Sequence, residues 1–363
     1  MVLPQSVNSG VGPLMKRLLG LLAGMAAAAA TPATAQDSVA QFYKGRQVTV
    51  LVGSSAGGGY DIYARLLARH MGKYIPGNPS MIVSNMPGAA SNAAVAHLYN
   101  VAPKDGTFIG APQNSAVMDG LFDSLLGNAR RLRHDVTRLI HVGSATTDHY
   151  VCIARADAPV KSFKEALTKE LLTGASQTGT STRDYPAMLN NVTGAKIKQV
   201  SGYPGTREIT LAIEKNEVQG LCGFSWSSLN AQKPDWVKSG FVRVLVQEHD
   251  KGNPDVNKMG VPLAVDFATS PENRRIMELV YSSQTFGRPY LLAPDIPAER
   301  VAALRKAFME TMKDRELLAE ALRIGLAIDP ISGADLQDLA GKIFATPTDF
   351  VEKTKDAMVY RAP

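Results

Sequence analysis

Three consecutive glycines, Gly57-Gly58-Gly59, follow a run of apolar residues and precede a helical pattern. The run Val48–Val52 is typical of a buried strand, and apolar residues recur at helical spacing from Ile62 to Tyr74. Glycine lets the backbone bend sharply and approach a ligand closely. The first N–H groups of a helix have no partner within that helix. A strand, a glycine loop and a helix in this order therefore predict an anion-binding site at the helix N-terminus.

The glycine loop also has interpretations that involve no anion. It lacks the third glycine of the dinucleotide-binding fingerprint, and no Lys-Ser or Lys-Thr pair follows it as in a phosphate-binding loop. A tight turn between a strand and a helix, without a ligand, is therefore an alternative. Asp61 could contact a ligand through water, or it could only cap its helix and favour the helix dipole.

Small and polar residues form similar loops where other predicted strands end, at 87–92, 113–115, 176–183, 203–206 and 225–228. In an open α/β sheet, ligands bind beside the carboxyl ends of the strands. We therefore expect these loops to surround one cleft. They offer backbone N–H, hydroxyl and amide groups, without a Ser–His pair, a Cys–His pair or two carboxylates at a spacing typical of catalysis. This composition favours binding, and we expect that the protein is not an enzyme.

Neutral donors should make most of the ligand contacts, and Arg183 is the one charged candidate. It stands at a predicted loop-to-helix junction, where a guanidinium could hold a carboxylate through two hydrogen bonds, or could simply be solvated. Tyr203 could close over a ligand as an aromatic wall or belong to the core. No catalytic or metal-binding residue is expected. The candidate ligand-binding residues are Ser55, Ala56, Gly57, Gly58, Gly59, Asp61, Pro87, Gly88, Ala89, Ala90, Asn114, Ser115, Gln177, Gly179, Thr180, Ser181, Arg183, Tyr203 and Ser225.

The order of the predicted elements indicates an α/β protein with two lobes. Strands and helices alternate from Val48 to Gly110 and again from Tyr150 to Gln247, which is typical of mostly parallel sheets flanked by helices. Within the second series, Lys161–Leu172 is expected to be helical. The predicted first lobe comprises residues 36–146 and 279–363, and the predicted second lobe comprises residues 147–278. A hinged binding protein of the two-lobe, Venus-flytrap type has this organisation.

Composition, charge and the N-terminal pattern restrict the class of protein. The chain has 363 residues, of which 45% are hydrophobic and 20% are charged, as in ordinary globular proteins. The N-terminus combines Lys16-Arg17, an apolar run and the small residues Ala33-Thr-Ala35, the pattern of a secretory signal peptide at 1–35. Residues 1–14 add nothing to this pattern and could reflect an upstream start codon. Removing residues 1–35 lowers the net charge from +6 to +4. This mild charge does not favour nucleic-acid binding.

Cys152 and Cys222 each lie within an apolar, strand-like run. An exported chain with two cysteines could form one disulfide. We favour two buried free thiols, because neither cysteine lies in an exposed loop. Since the sequence contains no C-x-x-C, H-E-x-x-H or histidine cluster, we expect neither a metal site nor a cofactor.

Five segments together resemble one known family over nearly the whole mature chain. Ala56–Arg65 resembles the motif P-x-G-G-x-x-D-x-x-A-R, and Asn85-Met-Pro-Gly-Ala-Ala90 resembles E-N-x-P-G-A-G-G. Pro103–Thr107 resembles P-D-G-Y-T, Gln177–Thr180 resembles G-x-G-S, and Tyr203-Pro-Gly205 resembles Y-K-G. These motifs are those of the periplasmic substrate-binding receptors of tripartite tricarboxylate transporters, the Bug-type receptors.

The resemblance implies the type II periplasmic-binding-protein fold and capture of a small organic carboxylate in the periplasm. It also implies delivery to a membrane transporter with a large and a small integral subunit, and we expect a monomer. A receptor that presents its ligand to a membrane sensor is an alternative, and a secreted enzyme that uses the glycine loop is a further one. Side chains replace family residues at Ser54-Ser55, Ala90-Ser91 and Gln177, so the ligand could differ from the family's usual carboxylates.

The signal-peptide pattern generates the first prediction. Because the A-x-A site ends at Ala35, the mature protein should begin at Gln36. N-terminal sequencing or intact mass of protein isolated from the cell envelope checks this. A mature protein that retains residues 18–30 would contradict export with cleavage.

Overall fold

The computed structural model describes residues 1–2, 38–125 and 134–363. The signal-peptide prediction falls on residues 3–37 and therefore lies outside the described residues. Within the described part of the chain, no helix combines the length and the apolar character needed to cross a bilayer.

Two separate sheets form the centres of two lobes. The first sheet has six strands in the order β11-β4-β10-β3-β1-β2, and the second has five in the order β7-β6-β8-β5-β9. The strands are β1 Gln47–Val52, β2 Ser80–Asn85, β3 Phe108–Ala111, β4 Ile140–Ser144, β5 Tyr150–Arg155, β6 Leu171–Ala175, β7 Ile197–Ser201, β8 Gly220–Ser225, β9 Val242–Glu248, β10 Pro289–Leu292 and β11 Ile331–Ser332.

Both sheets are mixed, although most strands of each run in one direction. In the first sheet β1 pairs in parallel with β2 and β3, whereas β10 lies antiparallel between β3 and β4. In the second sheet β6 pairs in parallel with β7 and β8, whereas β5 lies antiparallel between β8 and β9. The chain enters the second lobe through β5 and re-enters the first lobe through β10. The predicted α/β fold with two lobes is confirmed.

Helices cover the faces of both sheets. Helix Gly59–Met71 begins directly after the glycine loop and buries Leu66, Leu67 and Met71 against the first sheet. The chain also has a helical turn at 38–43. The longer helices are Gly59–Met71, Asn92–Asn100, Asn114–Leu125, Ser181–Thr193, Thr206–Glu214, Pro271–Ser282, Ala298–Thr311, Arg315–Arg323, Gly333–Phe344 and Thr348–Ala357, and the shorter ones are Phe163–Ala166, Trp226–Gln232 and Pro254–Lys258.

The helix expected over Lys161–Leu172 is wrong for most of its length. Only Phe163–Ala166 is helical, and Leu171 already belongs to strand β6. Strand β6 pairs in parallel with Ile197–Ser201, and Leu171 is fully buried in that sheet. The helical propensity of Lys169-Glu-Leu-Leu172 is therefore overridden by strand pairing of Leu171 and Leu172, which the local sequence does not reveal.

The chain passes between the lobes at 145–149 and returns at 283–288. Helix Pro271–Ser282 packs on the core of the second lobe through Met277 and Val280, and the C-terminal helix Thr348–Ala357 contacts both cores. The lobe boundaries at 146/147 and 278/279 remain a prediction, which the positions of the two connecting segments support.

Cys152 and Cys222 form a disulfide, so the expectation of two free thiols is wrong. The cysteines lie on β5 and β8, which are antiparallel neighbours, and both side chains are fully buried. Their apolar surroundings indicate burial but do not show that the two strands are adjacent. A separation of 70 residues hides the pairing from any local pattern.

The disulfide generates a stability prediction. Because the bond closes a loop of about 70 residues, replacing both cysteines with alanine should lower the free energy of unfolding by about 2–4 kcal/mol. Urea denaturation of the oxidised wild type, the reduced wild type and the double variant measures this difference. Two titratable thiols per chain in unfolded protein that was never exposed to a reductant would contradict the bond.

Candidate ligand-binding cleft

The glycine loop is held in shape by Asp61. The Asp61 carboxylate accepts hydrogen bonds from Gly57 N–H at 2.8 Å, Arg65 Nε at 2.8 Å and Asn85 Nδ2 at 2.9 Å. Burial opposes ionisation, but these hydrogen bonds hold the pKa of Asp61 below its ordinary value. Both carboxylate oxygens are thus engaged within the first lobe. These contacts favour the structural alternative for Asp61, in which the carboxylate acts at the N-terminus of its helix, and they add a hydrogen bond to the preceding loop.

The glycines of the loop have different roles. Gly57 has φ +78°, a left-handed conformation that favours glycine. Gly58 has φ −77°, which any residue adopts. Gly59 lies against the second lobe, because an added Cβ would lie 1.9 Å from Ser228 Oγ. The first glycine therefore permits the turn, whereas the last permits close approach of the two lobes.

A cleft between the lobes opens beside these glycines. Its empty volume is about 450 Å³, counting the space that is open to solvent. Hydroxyl groups and glycine backbone dominate the walls, and both lobes contribute. The lining residues are Ser54, Ser55, Gly58, Gly59, Tyr60, Gln113, Tyr150, Ser176, Ser181, Thr182, Gly205, Thr206, Gly223, Phe224, Ser225, Ser228 and Arg288.

Arg288, on the return connection, is the one charged residue of this lining, and its side chain is 2% exposed. Its Nη2 donates to Ser225 Oγ at 2.8 Å and to Ser228 Oγ at 2.7 Å. The same nitrogen lies 3.2 Å from Asp148 Oδ2. Its guanidinium carbon lies 4.2 Å from the ring centroid of Tyr60. Arg288 therefore contacts the helix of the first lobe, both connecting segments and the second lobe.

Two tyrosines and an asparagine form a second polar group across the cleft. Asn114 Oδ1 accepts from Tyr60 Oη at 3.0 Å and from Tyr150 Oη at 3.1 Å. The backbone N–H of Asn114 donates to Tyr60 Oη at 3.1 Å. Burial raises the pKa of both tyrosines, so their hydroxyls stay neutral at physiological pH. Asn114 thus holds one tyrosine of each lobe rather than lining the cleft itself.

The structure brings five predicted residues into the lining: Ser55, Gly58, Gly59, Ser181 and Ser225. Several others have different contacts. Thr180 Oγ1 donates to the carbonyl of Gln177 at 2.7 Å, and Gly179 N–H donates to Asp184 at 3.1 Å. Those outside the lining are Ala56, Gly57, Asp61, Pro87, Gly88, Ala89, Ala90, Asn114, Ser115, Gln177, Gly179, Thr180, Arg183 and Tyr203.

Arg183, the expected carboxylate clamp, does not reach the cleft. Its Nη1 donates to Gln199 Oε1, and its guanidinium carbon lies 4.3 Å from the ring centroid of Tyr360. Tyr203 is half-buried against the core of the second lobe, next to Gly174 and Ala175 of β6, which agrees with the alternative that it belongs to the core. Ser115 lines a separate small cavity with Met118. The direction in which each side chain faces decides whether it enters the cleft. The position of a residue in the sequence of a loop does not define that direction.

Sequence reasoning missed Arg288, Tyr60, Tyr150 and Ser228. Arg288 stands alone between Gly287 and the apolar strand Pro289–Leu292, and an isolated charge at such a boundary is the signal that was available. Tyr60 adjoins the glycine loop directly. Tyr150 carries no such signal, because it begins an apolar strand that looks like core.

No protein-family model matches the sequence, and no curated protein matches it significantly. Among solved structures, the chain is similar to the periplasmic binding protein BugD (18% identity, TM-score 0.66, 88% of this chain and 99% of that chain). It is also similar to MatC from Rhodopseudomonas palustris with bound malate (18%, TM-score 0.63, 86% and 99%). The chain has the fold of the periplasmic solute-binding proteins. A TctC solute-binding protein from Polaromonas is a third similar structure (18%, TM-score 0.56, 86% and 99%).

Glu248 is a buried carboxyl group behind the cleft. Its Oε2 accepts from the N–H of Gly223, a lining residue, at 2.6 Å, and its Oε1 has no hydrogen-bond partner among the described residues. Burial raises the pKa of Glu248 to about 8, and the single N–H contact only partly opposes this. The folded protein therefore keeps this group protonated at neutral pH.

Glu248 generates a prediction of pH dependence. Between its ordinary pKa of 4.5 and about 8, the folded chain holds a proton that the unfolded chain has lost. The free energy of unfolding should therefore fall as pH rises through this window, by at most about 1.4 kcal/mol per pH unit. Glu248→Gln, which keeps the carbonyl acceptor, should remove this decline.

Urea denaturation of both proteins from pH 6.5 to 8 measures the slopes. Burial lowers the pKa of His141 and His249 to about 4 and also lowers that of His149, so these groups affect stability mainly below pH 6.5. Both proteins contain the same histidines, so the difference between the two slopes reports on Glu248. Equal slopes for wild type and Glu248→Gln would contradict the raised pKa.

Proposed function

We propose that the protein is a periplasmic receptor that captures a small organic carboxylate in the cleft and delivers it to a tripartite tricarboxylate-type transporter. One observation carries this proposal: the N-termini of three helices meet at the cleft. Residues of the first turns, Gly59, Ser181 and Thr206, line the cleft. The positive ends of their helix dipoles are thus directed at one space.

Such a space favours an anion of small size. Helix N-termini present N–H groups that lack partners within the helix, and the aligned dipoles favour negative charge there. Hydroxyls of Ser55 and Thr206, which donate only to acceptors 3.4 Å away, add donors on both sides of the cleft. Ser181 Oγ, by contrast, already donates to the Gly223 carbonyl. The planar carboxylate can accept from several such donors at once, which supports carboxylates as the ligand class.

The fold supports the same class of ligand. MatC was solved with bound malate, and a further similar structure from R. palustris (20% identity, TM-score 0.64, 86% of this chain and 97% of that chain) was solved with adipate. By analogy, we propose a ligand of this kind for the present chain.

The lining supports binding without catalysis. Among its described residues there is no histidine, cysteine or carboxylate. The nearby Asp148 accepts from Ser225 Oγ but is paired with Arg288. Glu208 lies 3.4 Å from Ser55 Oγ, which is a weak contact. A nucleophilic serine needs a general base within hydrogen-bond reach. We therefore propose a receptor that is not an enzyme, that acts as a monomer in the periplasm and that meets the large and small integral subunits of its transporter.

Ligand binding generates the next prediction. A panel of malate, succinate, adipate, citrate and acetate should include at least one acid that raises the melting temperature, since a ligand that binds only the folded state stabilises it. Calorimetry should confirm binding with a stoichiometry near one ligand per protein chain. If no acid on the panel binds at millimolar concentration, the carboxylate proposal fails.

A pair of variants tests whether the ligand binds in the cleft. Ser55→Leu fills the cleft with an apolar side chain and should weaken binding at least about tenfold, which is about 1.4 kcal/mol. Ser201→Leu makes the same change at the exposed end of β7, outside the lining of the cleft, and should bind as the wild type does. Equal affinities for both variants would show that the ligand binds elsewhere.

A further inference from the structure

The loop 88–91 of the first lobe has an unusual backbone conformation. Ala89, Ala90 and Ser91 have φ values of +45°, +52° and +73°, and Gly88 has φ +136°. Non-glycine residues rarely adopt the left-handed region, and they persist there only when their surroundings enforce it. Here Ser91 enforces it, because Ser91 Oγ donates to the Gly53 carbonyl at 2.8 Å and accepts from Gln113 N–H at 3.1 Å.

This conformation directs two successive N–H groups, those of Ala89 and Ala90, toward the second lobe. Successive backbone N–H groups in such a turn form a concave site that favours an anionic or carbonyl oxygen. These are the groups that the sequence predicted to hold a ligand carboxylate. In the structure a side-chain amide of the protein lies against them, and its oxygen is the atom that can accept from both donors.

That oxygen belongs to Gln177 of the second lobe. With the amide oriented so that its oxygen faces the two donors, Gln177 Oε1 accepts from Ala90 N–H at 2.8 Å and from Ala89 N–H at 3.3 Å. The contact crosses the mouth of the cleft. Thr180 fixes the loop that carries Gln177, because Thr180 Oγ1 donates to the Gln177 carbonyl at 2.7 Å.

Other polar contacts between the lobes at this rim are longer. Ser55 Oγ lies 3.4 Å from Glu208 Oε2, and Arg207 Nη1 lies 3.5 Å from the Ala56 carbonyl. At these distances each contributes little. The two-donor contact of Gln177 is therefore the strongest hydrogen-bonded link between the lobes among these rim contacts.

We propose that Gln177 is a built-in competitor of the ligand: its amide oxygen occupies the Ala89 and Ala90 N–H groups and holds the cleft shut when no ligand is bound. That Gln177 holds the cleft shut is inferred from the contacts alone. That it competes with the ligand rests on the proposed function. A carboxylate that uses these two donors must displace Gln177. The residue thereby disfavours ligands that need both donors and lowers their affinity.

The first test needs no ligand. Amide hydrogen exchange at Ala89 and Ala90, followed by NMR, should be at least about tenfold faster in Gln177→Ala than in the wild type. Gln177→Glu keeps an acceptor of the same length, and a charged acceptor makes a stronger hydrogen bond, so exchange should be as slow as in the wild type or slower. Thr178→Ala, an exposed neighbour in the same loop, serves as the control.

Small-angle scattering of the same ligand-free proteins measures closure. The radius of gyration should be larger for Gln177→Ala than for the wild type, Gln177→Glu and Thr178→Ala. Unchanged exchange at Ala89 and Ala90 in Gln177→Ala would overturn the contact. Faster exchange with an unchanged radius would overturn its role in holding the cleft shut.

The second test uses malate and adipate as probes, with calorimetry. Gln177→Ala should bind the acid that the wild type binds at least about threefold more tightly, and Gln177→Glu should bind it more weakly. Equal affinities would overturn the competition. If neither acid binds any of the proteins, the carboxylate proposal loses support while the exchange and scattering results still decide whether Gln177 holds the cleft shut.

Discussion

The ion pair between Arg288 and Asp148 is the interaction on which the arrangement of the two lobes depends. The two side chains are 2% and 1% exposed, and they lie on the two segments that connect the lobes. A buried charge is tolerated only when it is paired and hydrogen-bonded, and removing one partner costs about 3–5 kcal/mol. The two segments that connect the lobes must therefore keep their positions relative to each other.

Arg288 also sets the position of the cleft walls. Its guanidinium packs on Tyr60, which follows the glycine loop, and donates to Ser228 at the start of a helix in the second lobe. One cation thus fixes parts of both lobes. Because Asp148 balances its charge, Arg288 adds little net charge to the cleft. The attraction for an anion must then come largely from helix N-termini and hydroxyl groups, whose dipoles are fixed by the fold.

The sequence predicted local elements well because their signals are local. The apolar run before Gly57 defines β1 to within one residue, and the helical spacing after it defines helix Gly59–Met71 to within three residues at each end. The disulfide and strand β6 depend on which strands pair over long separations, and no local pattern contains that information. The two-lobe fold was accessible because alternating strands and helices restrict the topology strongly.

The candidate site was predicted only in part, for a related reason. A small-residue loop at a strand end indicates where a cleft forms, and Ser55, Gly59 and Ser181 do lie there. The sequence does not define which side chain of the loop faces inward, so Arg183 was placed in the cleft although it packs on Tyr360. Arg288 was missed because its role depends on the return connection, which only the assembled lobes define.

Closure without a ligand follows from the small size of residues at the contact between the lobes. Gly59 leaves room for Ser228, and Gly205 leaves room for Ser55, since an added Cβ would lie 1.9 Å and 2.5 Å from the respective hydroxyl oxygens. Neither glycine has the positive φ that would require glycine for conformational reasons. Selection for close approach therefore explains them better than selection for a turn. Two lobes that fit this closely need only a weak link at the rim to stay together, and a single amide such as Gln177 can supply it.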